Sequence, residues 1–431
     1  MKKLLIISSD VIASKMAGPG IRYWNLAIEL SKYFQITLAI PNYHTFDLHK
    51  MLEDYKIKLI CSESKILKKE AREKDSIFIQ GDTLWKFRFL RKYNASIIVD
   101  LYDPFVLEHL ELNENNLRGN LIYTNMMNIL IDQLKFGDYF ICASEKQKDF
   151  WLGSLTSLKR INLKEYQKNK SFEHLIGVVP FGVPSTPPVK SKEVLKGVYP
   201  GIEKDDKVIL WGGGIWEWFD PITLIKAMKI VNQKQDNIKL FFMGINHPNT
   251  DIKRMKIVDE TIKLSNQLDL TNNCVFFNDW VDYEDRHNFL LEADLGINIH
   301  KNHIETRYSF RTRILDYIWA KLPVITNSGD FFANEIKDKS IGIVIEDLSA
   351  ESLAEEILGY TGKLNYRANF DKLVNQYKWE NNIKDIVCFL QKDFVHSYNH
   401  LDFSKFKKVI YLFGRIADLV LNKSKNIKNQ Q

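Results

Sequence analysis

A chain of 431 residues with 45% hydrophobic content is long enough for more than one buried core, so two domains are expected. The formal charge of +6 is uneven: residues 401–431 hold seven Lys and Arg against two Asp, which leaves the body nearly neutral and argues against a nucleic-acid-binding face. Cys61, Cys142, Cys274 and Cys388 lie far apart with no C-x-x-C pair, which argues against a disulfide framework or a zinc site and for a reducing, cytoplasmic compartment; no apolar run is long enough to span a bilayer.

The opening Met1-Lys2-Lys3-Leu4-Leu5-Ile6-Ile7 imitates a signal peptide, but its apolar run stops at Ser8-Ser9-Asp10 and reads as a first strand. A rhythm of strand, loop and helix follows. The segments Leu4–Ser8, Ile36–Ile40, Ser76–Gln80, Ser96–Leu101, Tyr139–Ala143 and Gly177–Pro180 read as strands. Helices are predicted over Ile21–Tyr33, Thr83–Lys92, Leu121–Lys135 and Glu145–Leu152, with Ser144 as an N-cap. Pro184-Ser185-Thr186-Pro187-Pro188 interrupts the rhythm and reads as a linker. A second series then begins, with strands over Val208–Trp211, Lys239–Met243, Val275–Asn278, Leu295–Ile299, Val324–Thr326 and Ile341–Ile345. The expected class is α/β, with two doubly wound, Rossmann-like parallel-sheet domains over residues 1–184 and 185–378. Ligands are expected where their strand ends face a shared cleft.

Several loops at strand ends carry candidate chemistry. Met16-Ala17-Gly18-Pro19-Gly20-Ile21-Arg22 precedes a helix; Gly18 and Gly20 permit close backbone approach, and Arg22 in the first turn is placed for an anion. The plain alternative is a glycine-rich connection, and the third glycine of a dinucleotide fingerprint is missing. Asp103, at the end of a strand, is a candidate for binding or deprotonating a hydroxyl, with Glu108 second; a turn or helix cap explains Asp103-Pro104 nearly as well. Asp100 and Asp103 are spaced D-x-x-D, so no metal is implied. In Trp211-Gly212-Gly213-Gly214-Ile215-Trp216-Glu217-Trp218, Gly213 and Gly214 allow a phosphate close, Trp216 and Trp218 offer ring contacts, and Glu217 lies in the same loop. The alternative for the tryptophans is core packing. His300 and His303 lack a third ligand and read as part of a polar loop.

The run Ser309-Phe310-Arg311-Thr312-Arg313-Ile314-Leu315-Asp316-Tyr317 continues to Leu322-Pro323-Val324-Ile325-Thr326, and it is the most informative stretch. It predicts a helix capped by Ser309 that runs into a buried strand. Arg313 and Asp316, three apart, share a face near the helix start. A helix N-terminus with a forked guanidinium suits a diphosphate, and a nearby carboxylate suits ribose hydroxyls. Together they imply a nucleotide.

This run resembles the donor-site signature of retaining glycosyltransferases of family 4, S-x-P-x-K-x-x-E-Y-x-A-x-G-x-P-V-I. Ser309, Arg313, Asp316, Tyr317, Ala320, Pro323, Val324 and Ile325 match it or replace it conservatively. Arg311 stands at the proline and Lys321 at a glycine, and Tyr308 falls where the first of two glutamates seven apart belongs. The resemblance implies a GT-B fold, with Arg313 on the donor diphosphate, Asp316 on the ribose and Glu305 in place of the displaced glutamate on the donor sugar. It implies that the Gly18–Arg22 loop lies over the diphosphate and acceptor. The basic pair usual in the first loop of the second domain is absent, so Arg307, Arg311 and Arg313 are expected to supply the phosphate charge.

The implied activity is transfer of a sugar, with retention, from a nucleotide diphosphate sugar to a glycan or lipid-linked glycan in bacterial surface polysaccharide synthesis. No metal or other cofactor is expected. The rivals are a non-catalytic GT-B scaffold that binds a glycan or protein partner, and a nucleotide-sugar epimerase. Residues 379–400 resemble the return helix that braces the first domain. In the tail, residues 401–431, Val409, Leu412, Phe413, Ile416 and Val420 fall on one helical face flanked by lysines. Two readings stay open for it: an interfacial helix drawn to anionic lipid at the inner face of the cell membrane, or packing on the first domain.

Overall fold

The computed structural model describes residues 1–42, 55–360 and 367–392. The tail with its apolar face at Val409, Leu412, Phe413, Ile416 and Val420 lies outside them, as does the end of the return segment, 393–400.

The first half forms a seven-stranded sheet in the order β3-β2-β1-β4-β5-β6-β7. Its strands are β1 (Lys3–Ile7), β2 (Gln35–Ile40), β3 (Lys58–Cys61), β4 (Ser76–Gln80), β5 (Ser96–Asp100), β6 (Tyr139–Cys142) and β7 (Ile176–Val178). The second half forms a six-stranded sheet in the order β10-β9-β8-β11-β12-β13. Its strands are β8 (Lys207–Trp211), β9 (Ile238–Phe242), β10 (Val275–Phe277), β11 (Leu295–Asn298), β12 (Val324–Asn327) and β13 (Gly342–Ile345). Neighbouring strands pair in parallel throughout both sheets. The reason is written in the strands: β4, β5 and β6 are buried along their whole length, as runs of Ile, Val and Phe covered on both faces must be.

Helices begin where the local chemistry allows. Pro19 and Pro221 occupy early positions of the Gly18–Ser31 and Pro221–Lys234 helices, where a missing N–H costs nothing. The Asp220 side chain accepts from Thr223 N, and Ser144 accepts from Gln147 N at the head of the Glu145–Ser157 helix. The helix predicted over Thr83–Lys92 is instead a single α-turn, Thr83–Lys86, followed by a 3-10 stretch, Arg88–Lys92. Strand β3 was not anticipated, for its four residues open on an exposed lysine and make a weak pattern.

In each sheet the strand order reverses beside the first strand, between β1 and β4 and between β8 and β11. Loops leaving the carboxyl ends on either side of such a point diverge, and a crevice opens between them. The two crevices face each other. Tyr283 N donates to Ser14 O at 2.7 Å, Asn249 Nδ2 to Asp10 Oδ1 at 2.9 Å, and Gln147 Nε2 to Tyr308 O at 2.8 Å, so loops of one sheet meet loops of the other. Behind the cleft the chain returns: Val183 pairs with Lys378, and Trp379 packs its ring 5.0 Å from Phe181. Gly182 is required there, because a Cβ would lie 2.5 Å from the Trp379 ring. Among the described residues no helix is long and apolar enough to cross a membrane.

Candidate active site

The loops after β1, β4 and β5 and those after β8, β9 and β11 enclose a cavity of about 620 Å3. Gly18, Asp103 and Glu108 come from the first half; Gly213, Gly214, Trp216, Glu305, Arg311, Arg313 and Asp316 come from the second.

Arg313 is the most unusual of these. It lies on the first turn of the Thr312–Ala320 helix, buried, with Nη2 donating to Gly214 O at 2.7 Å. Its guanidinium rests on the rings of Phe219 (3.9 Å) and Trp211 (4.5 Å). No carboxylate among the described residues pairs with it, and Nη1 has no hydrogen-bond partner. Burial pulls its pKa down to about 9, which still leaves it charged at neutral pH. A buried cation in that state draws an anion.

Ser309 does not cap this helix. Its hydroxyl donates to Thr306 O at 2.9 Å and closes a separate turn of helix, Ile304–Tyr308. That extra turn moves the helix start to Thr312, with Arg311 at the cap position and no side-chain cap. Arg313 therefore stands closer to the free N–H end than the sequence indicated.

The two other expected groups are engaged with arginines. Glu305 grips Arg311 in a buried two-pronged pair, at 2.8 and 2.6 Å. Asp316 is partly open to the cavity and accepts from Arg286 Nε at 3.2 Å. Arg286 escaped the sequence reading. It comes from a separate helix, Arg286–Glu292, and lies over the Tyr283 ring at 3.8 Å; no local pattern marks it.

Gly213 adopts φ +74° with open space where a side chain would point, so the backbone itself faces the cavity. Tyr317 fixes this loop. Its hydroxyl accepts from Gly212 N at 2.7 Å and lies 2.9 Å from Leu210 O and 3.1 Å from Ile297 O. Trp216 stacks on Trp218 at 5.3 Å and meets His247 edge-on at 5.5 Å, forming an aromatic wall.

Four expected residues are placed elsewhere. Arg22 is fully buried and ion-paired with Asp100 at 2.6 Å, with Nη2 on Val179 O at 2.9 Å; it braces the first sheet and does not reach the cavity. Gly20 is a packing glycine, since a Cβ would sit 2.3 Å from Val11 O. Glu217 does not line the cavity; it accepts from Ile257 N at 3.2 Å, at the start of the Lys256–Gln267 helix. Arg307 is exposed, with its guanidinium 5.7 Å from the Tyr308 ring, and does not line the cavity.

At the first-domain end, Asp103 and Glu108 both line the cavity. Burial, first of all, raises both carboxyl groups, and each also feels the negative charge of Glu305. His300 is buried 3.5 Å from Asp330, outside the cavity. Among the described residues no group of three or more His, Cys, Asp or Glu is placed to hold a metal ion.

Two facing parallel-sheet Rossmann-like domains with a nucleotide-sized cleft define the GT-B fold, and solved structures bear this out. The sucrose-phosphate synthase of Thermosynechococcus elongatus superposes with a TM-score of 0.61 at 12% identity, covering 89% of this chain and 96% of its own. WaaG, a glycosyltransferase involved in lipopolysaccharide biosynthesis, gives 0.62 at 14% identity, covering 90% and 99%. Anabaena Alr3699/HepE, solved in complex with UDP-glucose, gives 0.62 at 14%, covering 90% and 98%. Residues 199–382, which hold the second sheet, match the family described as Glycosyl transferases group 1, and this supports a glycosyltransferase. No curated protein matches the chain by sequence.

Proposed function

We propose that the chain is a retaining glycosyltransferase that moves a sugar from a nucleotide diphosphate sugar to a glycan or lipid-linked glycan of a bacterial surface polysaccharide. The observation that carries this reading is Arg313, a buried cation without a carboxylate partner beside the Gly212–Gly214 loop and a helix N-terminus. A diphosphate supplies the missing negative charge, and its oxygens suit Nη1 and the free backbone N–H groups. The UDP-glucose complex of the Anabaena protein, whose fold this chain shares, supports a nucleotide-sugar donor. Asp316, held by Arg286, would accept from ribose hydroxyls.

As the sugar–phosphate bond breaks, negative charge grows on the leaving oxygens. Arg313 and the fixed N–H groups stabilise that change more than they stabilise the bound donor, and the rate rises accordingly. Asp103 would receive a hydrogen bond from the acceptor hydroxyl, whose proton passes to the departing phosphate. No metal or enzymic nucleophile takes part. The tail, residues 401–431, would hold the protein at the cytoplasmic face of an anionic membrane.

Thermal-shift measurements with UDP, GDP, dTDP and their sugars test the donor site. A nucleotide at one hundred times its Kd stabilises by about 2.7 kcal/mol. We expect such a shift for one base in the wild type and none in Arg313→Met. Stabilisation of both proteins alike would remove Arg313 from the site. Product analysis with and without acceptors then separates transfer from epimerisation and from binding without turnover.

A further inference from the structure

One face of the Glu145–Ser157 helix grips two loops that belong to different halves of the molecule. Gln147, Phe150 and Trp151 share that face, at the three- and four-residue spacing of neighbours on a helix. Trp151 Nε1 donates to Leu101 O at 3.0 Å, and Gln147 Nε2 donates to Tyr102 O at 2.8 Å, which fixes the backbone directly ahead of Asp103. The same Nε2 gives its second hydrogen to Tyr308 O in the other half, at 2.8 Å, and the Phe150 ring lies 4.9 Å from that of Tyr308. Tyr308 ends the short helix whose Glu305 holds Arg311. The Gln147 side chain is fully buried and its amide fully used, because Oε1 accepts from Ala143 N at 2.7 Å. That bond also sets which way the amide points. Turned over, it would aim an oxygen at two carbonyls and an NH2 group at an N–H.

We propose that Gln147 is a positioning residue: its one amide ties the Tyr102–Asp103 backbone to the Ile304–Tyr308 turn and so sets the spacing between the acceptor side and the donor side of the cavity. The labels acceptor and donor rest on the transferase reading above; the tie between the halves does not. Transfer requires the attacking oxygen and the sugar carbon to be held nearly in contact, so a looser tie costs rate even where both substrates bind. The nucleotide end is secured separately. Arg313 is bonded to Gly214 O and Tyr317 to Gly212 N, all within the second half. Loss of the Gln147 amide therefore spares donor binding and weakens the alignment of the two substrates.

Hydrogen exchange of the full chain, read by mass spectrometry on wild type and Gln147→Glu, tests the tie. This variant keeps an oxygen for Ala143 N but offers the two carbonyls at most one hydrogen. Exchange should quicken several-fold over residues 304–313 as well as 101–108, while residues 208–217 keep the wild-type rate. Quickening confined to 101–108 would make Gln147 a brace of the first half alone and overturn the proposal. Gln147→Met, which brings no charge into the interior, is the second variant and should loosen the same two segments. In steady-state kinetics both variants should lose about tenfold or more in kcat, with the donor KM within about twofold of wild type. An unchanged kcat, or a donor KM that rises as far as kcat falls, overturns the positioning role. If the chain transfers no sugar to any acceptor, the transferase reading fails while the exchange result still decides the tie.

Discussion

Arg313 is the residue whose cost and use are most separable. A buried charge without a partner is unfavourable, and apolar replacements of such groups are often neutral or stabilising. Arg313→Met should therefore melt no lower than the wild type, and higher by up to about 2 kcal/mol of stability, while losing nucleotide-dependent stabilisation. Chemical denaturation with and without nucleotide checks both halves of this statement. The Asp103–Glu108 pair has a pH signature of opposite origin. Its folded-state pKa values lie above those of the unfolded chain, so the folded form keeps a proton that the unfolded form releases. Its contribution to stability is complete below about pH 4 and is lost as pH rises through the raised values. Because glutamine stays neutral at every pH, the melting temperature of Glu108→Gln relative to wild type should climb between acid and neutral pH. A pH-independent difference would show that Glu108 titrates normally.

At the scale of elements, the donor half is a glycine loop held by one tyrosine. Tyr317 projects from the Thr312–Ala320 helix and reaches the ends of both β8 and β11 through its hydroxyl. Tyr317→Phe keeps the ring but leaves Gly212 N and two carbonyls without it. A loss of about 1–3 kcal/mol is expected, with a raised KM for the donor, since the loop that carries Gly213 is no longer fixed. Denaturation midpoints and donor kinetics measure the two effects. The ring packs as tightly as its hydroxyl bonds: a Cβ at Gly296 would lie 2.7 Å from it, so Gly296→Ala should destabilise by a comparable 1–3 kcal/mol, or about that.

For the whole molecule, the two sheets share one apolar cluster that runs from Leu4 through Tyr102, Phe181 and Trp319 to Trp379 and Leu390. Packing of that continuity favours a single cooperative unfolding transition of both halves. Trp379→Ala removes the ring that sits against Phe181 and Gly182, and should cost about 3–5 kcal/mol and uncouple the halves into two calorimetric peaks. One undivided peak in that variant would place the coupling at the cleft contacts instead.

How much was readable beforehand differs by scale. Runs such as Ser76–Gln80 and Ser96–Asp100 are apolar on both faces, which only a covered parallel sheet accommodates, so the doubly wound pattern was open to a linear reading. The same holds for Arg313 and Asp316, whose spacing along one helix is local and survives any tertiary arrangement. Arg22 shows the limit. A basic residue in the first turn after a glycine loop looks ready for an anion, yet Asp100, seventy-eight positions away, claims it in the interior. Ser309, Glu217 and Arg286 were settled the same way, by a neighbouring helix turn, a backbone N–H and a carboxylate that no nearby residue announces. The sequence by itself determined periodicity, local spacing and charge, because those act within a few residues. Only the tertiary structure decided which charges neutralise each other, because ion pairs and buried hydrogen bonds depend on distances that chain separation does not set.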